Sequence, residues 1–87
     1  MSLSLEAIVE NMGFWMHAPV LIERRNPDGS KFIPGVISGV DEGRRKVLIT
    51  GLIEGLGYSA PIELLQNGQA ESRRGHLRYR LLPISSK

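Results

Sequence analysis

The sequence predicts a mainly β protein, in which an N-terminal α-helix over residues 4–16 precedes a small, strongly bent, four- to five-stranded antiparallel barrel over residues 19–84. Three observations lead there. Apolar residues recur at helical spacing only ahead of Pro19. Beyond it, short β-branched and apolar runs are separated by turn residues. Glycines stand inside one of those runs, at Gly35 and Gly39, and a glycine in a strand marks a sharp bend or a close backbone approach. With 87 residues the chain has room for one domain, residues 1–87.

In the helix, Leu5, Ile8, Val9, Met12 and either Trp15 or Met16 share one face, with Glu6, Glu10 and Asn11 on the other. Ser4 is placed to cap the first amides, and Glu6 lies in the first turn, where the helix dipole favours a negative charge. Gly13 offers a stop. Val20 to Arg25 is the first strand, and Asn26-Pro27-Asp28-Gly29-Ser30 supplies the turn chemistry after it. A second strand spans Lys31 to Asp41, with Pro34 beside Gly35 marking an edge or bulge. Glu42-Gly43 makes a tight turn into a third strand, Arg45 to Thr50. Gly51 to Ser59 is a flexible connection or a bent strand end. Residues 60–67 read two ways. Ser59 as cap, Pro61 in the first turn and Gly68 as stop make Ile62–Asn67 a short helix, whereas Asn67-Gly68 as a hairpin turn makes Ile62–Gln66 a strand. The last strand alternates Leu77, Tyr79 and Leu81 with His76, Arg78 and Arg80, and Pro83 with Ser85-Ser86-Lys87 ends it.

Several classes of function are excluded or disfavoured. A composition of 41% hydrophobic and 23% charged residues is that of a folded domain and not of a disordered one. The absence of Cys removes disulfides, thiolate zinc sites and a Cys nucleophile. The longest uncharged stretch, Asn11–Ile22, is shorter than the roughly 20 apolar residues a membrane helix needs. It has no basic segment ahead of it, so no signal peptide and no membrane partner are expected, and the expected location is the cytoplasm. Gly57-Tyr58-Ser59-Ala60-Pro61 lacks the second Gly of a nucleophile elbow. Gly55-Leu56-Gly57-Tyr58-Ser59-Ala60 fits a dinucleotide fingerprint, but Tyr79 and Arg80 stand where its acidic residue should be. His17 and His76 are far apart in sequence and belong to no metal-spaced cluster. No catalytic residue, metal or cofactor is expected, and the chain reads as a non-enzyme.

Charge points to an anionic partner. The net charge is only +2, yet residues 1–43 sum to −3 and residues 44–87 to +5. Eight of the eleven cations are Arg, the side chain suited to planar, bidentate phosphate contacts. The most pointed segment is Arg73-Arg74-Gly75-His76-Leu77-Arg78-Tyr79-Arg80. On a strand His76, Arg78 and Arg80 share a side and form a cationic row for phosphates, or else a charged edge that blocks sheet-to-sheet association. Tyr79 alternates with Leu77 and Leu81 and is expected in the core, with base stacking as its other use.

The run from Gly29 to Ile49 also resembles the first motif of the Sm/LSm family of small barrels, which includes the Hfq proteins. Gly29, Gly35, Gly39, Asp41, Val47 and Leu48 fall at the motif's places, and Arg74-Gly75 with Leu77 and Leu81-Leu82-Pro83 is similar to its second motif. The resemblance implies a five-stranded bent barrel that assembles into a homo-oligomeric ring and binds RNA near the pore. It implies that Asp41, Arg74 and Gly75 belong to the binding site. The positions of the family's stacking residue and Asn hold Gly43 and Arg45, so what carries over is phosphate binding through Arg44, Arg45 and Arg74. The full expected set is Asp41, Arg44, Arg45, Arg73, Arg74, Gly75, His76, Arg78 and Arg80, with RNA or another single-stranded nucleic acid as partner. The alternative is an SH3-like protein-binding adaptor, in which Phe14, Trp15 and Met16 dock a partner or cover the barrel end.

Overall fold

A computed structural model describes residues 4–82. Pro83 and Ser85-Ser86-Lys87, expected to end the last strand, lie outside the described residues. The elements run α1 (Leu5–Glu10), α2 (Met12–Trp15), β1 (Pro19–Asn26), β2 (Gly29–Asp41), β3 (Lys46–Gly51), β4 (Gly57–Pro61), α3 (Glu63–Asn67), β5 (Gln69–Glu71) and β6 (Leu77–Leu81). The strands form one antiparallel sheet in the order β4-β3-β2-β1-β6-β5, curled into a half-barrel. The fold is therefore mainly β, as expected, but it has six strands and not four or five, and its curl is not closed by a strand ladder between β4 and β5.

The single N-terminal helix is in fact two. Ser4 caps α1 as expected, its Oγ accepting the Ala7 N–H at 3.1 Å. α1 ends at Asn11, whose side-chain amide donates to the Ala7 carbonyl at 2.7 Å, sharing it with the Asn11 backbone N–H at 3.1 Å, and whose backbone leaves the helical region at φ −108°, ψ 23°. A side chain that competes for the backbone's own acceptor is how Asn breaks helices. Gly13 lies inside α2 and stops nothing. The left-handed residue past the helix end is His17, at φ 67°, whose N–H donates to the Ile37 carbonyl at 2.9 Å.

Turn chemistry sets the β1–β2 register, with Asn26 opposite Gly29 across Pro27-Asp28. β2 is long enough to serve two partners, pairing with β1 over 29–36 and with β3 over 35–41. The bend between these halves explains both interior glycines. A methyl at Gly35 would lie 2.9 Å from Ile49 Cγ2 and 3.0 Å from the Thr50 carbonyl oxygen, so only glycine fits there. Gly39 has no such neighbour but sits where the β2–β3 register slips, a bulge that increases local twist.

The concave face is the core. Val20, Ile22, Ile33, Ile37, Val47, Ile49, Ala60 and Tyr79 point into it. Ile8 of α1 and Leu64 and Leu65 of α3 close it, with Leu5, Met12 and Trp15 packed around them. Each fully buried aliphatic side chain contributes roughly 1.5–3 kcal/mol relative to exposure. Trp15 thus covers the core while its neighbour Phe14 stays exposed. The two readings of residues 60–67 resolve as a helix that starts later than Ser59 would set it. β4 runs through Ser59 and Pro61, a proline that an edge strand tolerates, and α3 begins at Glu63 and ends at Gly68.

Candidate nucleic-acid interface

Three segments place the cations expected to bind phosphate. The first is the turn between β2 and β3, residues 42–45. Asp41 organises it: Oδ1 accepts the Arg44 N–H at 3.3 Å, and Oδ2 lies 3.9 Å from Arg44 Nε. Asp41 is therefore a turn cap and only indirectly part of a binding surface. The left-handed residue of this turn is Arg45, at φ 56°, and not Gly43. A non-glycine residue in that region is uncommon and costs roughly 1–2 kcal/mol. Arg44 and Arg45 are both exposed, and Lys46 follows at the start of β3.

The second segment is the β5–β6 turn, residues 72–76. The Gly75 N–H donates to the Ser72 carbonyl at 2.9 Å, and Gly75 takes φ 75°. Arg73 and Arg74 project from this turn into solvent. His76 belongs to the turn as well, and not to β6 as the alternation suggested. Its carbonyl accepts the Arg25 N–H at 2.8 Å and its side chain is exposed.

The third segment is the outer face of β6, where the expected cationic row is only partly present. Arg78 sits between two carboxylates, 3.2 Å from Glu71 and 3.9 Å from Glu23, and Arg25 joins the same Glu71 at 3.6 Å. Register explains this, since Arg78 lies opposite Glu23 on β1 and opposite Glu71 on β5. Exposed pairs of this kind contribute about 0–1 kcal/mol each, and their main effect here is to neutralise Arg78. Arg80 is exposed, and its side chain has no ion-pair or hydrogen-bond partner among the described residues.

One residue of the second segment, Arg73, shares a groove with Lys46, which follows the first. Lys46 and Pro61, where β3 begins and β4 ends, line one shallow groove together with Glu63, Ala70, Glu71 and Arg73. Its two cations, Lys46 and Arg73, are matched by two carboxylates, Glu63 and Glu71. A second groove, along β5, is lined by Gln69, Ala70, Glu71 and Arg78. On the outer face beyond it a third depression is lined by Leu21, Glu23, Phe32, Arg78 and Arg80. The three share residues in succession, Ala70 and Glu71 first and then Arg78, so they form one track around the β5–β6 edge.

Tyr79 is core, 2% exposed, with its hydroxyl donating to the Ser59 carbonyl at 3.4 Å. Burial, reinforced by the nearby Tyr58, holds its pKa above the ordinary value for a phenol. It is not available for stacking on a base. Phe32, which sequence reading passed over as an ordinary strand residue, has 57% of its surface exposed on the outer face. The inward series Ile33, Gly35 and Ile37 was the period-2 signal that leaves Phe32 on the outer face.

No group of three or more His, Asp or Glu side chains among the described residues could hold a metal ion. No described helix is long and apolar enough to cross a membrane. Comparisons with protein-family models, with curated proteins and with solved structures find no match to this chain.

Proposed function

We propose that this chain is a small-barrel RNA-binding protein, similar in plan to the Sm/LSm family, that works as a homo-oligomer and grips the phosphate backbone. The observation that carries this reading is the set of exposed guanidinium groups on two turns, Arg44 and Arg45 after β2 and Arg73 and Arg74 after β5, with Lys46 and Arg73 lining one groove beside Glu63 and Glu71. Guanidinium groups spaced along a groove suit a flexible polyanion, each contact releasing counterions. The two sheet edges, β4 and β5, carry unpaired backbone groups on which copies of the chain can join strand to strand. The strongly bent β2 also supports the family resemblance.

The test is binding of a fluorescein-labelled oligouridylate across a salt series. Affinity should fall steeply with salt, and the Arg73→Ala/Arg74→Ala double variant should flatten the log–log slope by about 0.7 per lost contact. An affinity indifferent to both salt and these substitutions would overturn the reading.

A protein-binding adaptor is the second reading, and one observation favours it. The β3–β4 connection presents Leu52, Ile53 and Leu56 to solvent while its backbone is held by hydrogen bonds from Gly51 to Leu56, from Leu52 to Pro34 and from Gly55 to Gly51. An adaptor of that kind predicts no salt-sensitive RNA affinity.

A further inference from the structure

Resting on the nucleic-acid reading, we infer that Phe32 is a base-stacking platform on the outer face of the sheet, and that the ligand is consequently single-stranded. The ring of Phe32 is more than half exposed on a β-strand whose alternate residues, Ile33 and Gly35, are buried. Nothing in the hydrophobic core requires an aromatic at that position. Its neighbours make it more than a stray apolar residue. Leu21 lines the depression beside it, and Arg80, opposite Leu21 on β6 and with no side-chain partner among the described residues, lines its far side. The nearest carboxylate, Glu23, lies opposite Phe32 in register but is occupied, accepting the Ser30 hydroxyl at 2.8 Å and paired with Arg78. Its charge is thereby offset where a phosphate would pass.

An exposed aromatic face with an arginine two strands away across the same depression is the chemistry that recognises an unpaired base and a neighbouring phosphate. The depression is shallow, which suits a base lying flat on the ring and gives no enclosed pocket for a folded-in side chain. A base in a duplex has both faces stacked and cannot use the ring. The platform also stands at one end of the chained grooves, so a strand that leaves Lys46 and Arg73 along the β5–β6 edge arrives at Phe32.

The experiment is anisotropy with a short labelled oligouridylate and, separately, a blunt RNA duplex of the same length. It uses the full chain and its Phe32→Ala, Phe32→Leu and Phe32→Tyr variants, with a urea midpoint for each to confirm folding. The expected result is a loss of about 5- to 100-fold for Phe32→Ala on the single strand. Phe32→Leu should lose nearly as much, Phe32→Tyr should bind like the original, and the duplex should not respond to any of them. Wild-type binding that Phe32→Ala leaves unchanged, or that Phe32→Leu preserves, overturns the stacking platform and spares the RNA reading. Absence of any salt-sensitive binding by the unaltered chain overturns both.

Discussion

Tyr79 faces Ile22 across the β1–β6 ladder and carries a hydroxyl into an otherwise apolar core. Desolvation and, after it, Tyr58 raise its pKa above 10.0. The folded state therefore holds the phenolic proton more tightly than the unfolded chain does. By linkage, this contribution is fully present below the unfolded pKa and is lost as pH climbs through the folded one. The urea midpoint of the native sequence should fall more steeply above about pH 10 than that of Tyr79→Phe. At pH 7 the two should differ by no more than about 1 kcal/mol, because the Ser59 hydrogen bond is long. Parallel decline of the two proteins above pH 10 would show that another group causes the alkaline loss. Placement of Tyr79 was legible from its alternation with Leu77 and Leu81. What it touches was not, because Ser59 lies on a strand separated from it in sequence by a helix.

Among the elements, the 42–45 turn separates stability from binding. Glycine at position 45 would adopt the left-handed conformation that Arg45 holds at a cost of roughly 1–2 kcal/mol, offset by the roughly 0.5–1 kcal/mol that glycine loses in backbone freedom. Arg45→Gly should then raise the unfolding free energy read from urea titration slightly, by about 0–1.5 kcal/mol. In the same variant RNA affinity should drop, with the salt slope shallower by about 0.7. Stability and affinity moving in opposite directions would mark Arg45 as a binding residue; unchanged affinity would make it only a strained turn residue. The sequence read the β1–β2 hairpin well, because Asn-Pro-Asp-Gly is local turn chemistry. It misplaced the helix break and the start of α3, because Asn11 acts through a side-chain bond to Ala7 and because Pro61 is tolerated only on account of β4's place at the edge. Edge position is a property of the assembled sheet and not of any segment.

For the whole molecule, the charge division along the chain does not survive folding. Glu23 from the acidic half lands between Phe32 and Arg78, and Arg25 meets Glu71. Among the described residues, the expected arginines left without a carboxylate partner are Arg45, Arg73, Arg74 and Arg80, a smaller set than the sequence implied. Register could not be read ahead of the structure, so neither could the neutralisation of Arg78. The open edges β4 and β5 bear on assembly. Light scattering at physiological salt should give a native mass several times that of one chain, as closed rings require. A monomer would remove ring formation from the proposal while leaving phosphate binding by the single chain to be judged on its own titration.

The central strand also has a temporal consequence. β1 lies between β2 and β6, and its ladder with β6 joins residue 24 to residue 77 and residue 20 to residue 81. During synthesis the meander from β1 to β4 leaves the ribosome first, through neighbouring pairings. Until residues 77–81 follow, Val20 to Arg24 is an open strand edge with two of the most deeply buried side chains of the finished core on it. Residues 77–81 thus shield a strand made well before them, and a nascent or truncated chain lacking them would expose a sticky edge at the centre of the sheet.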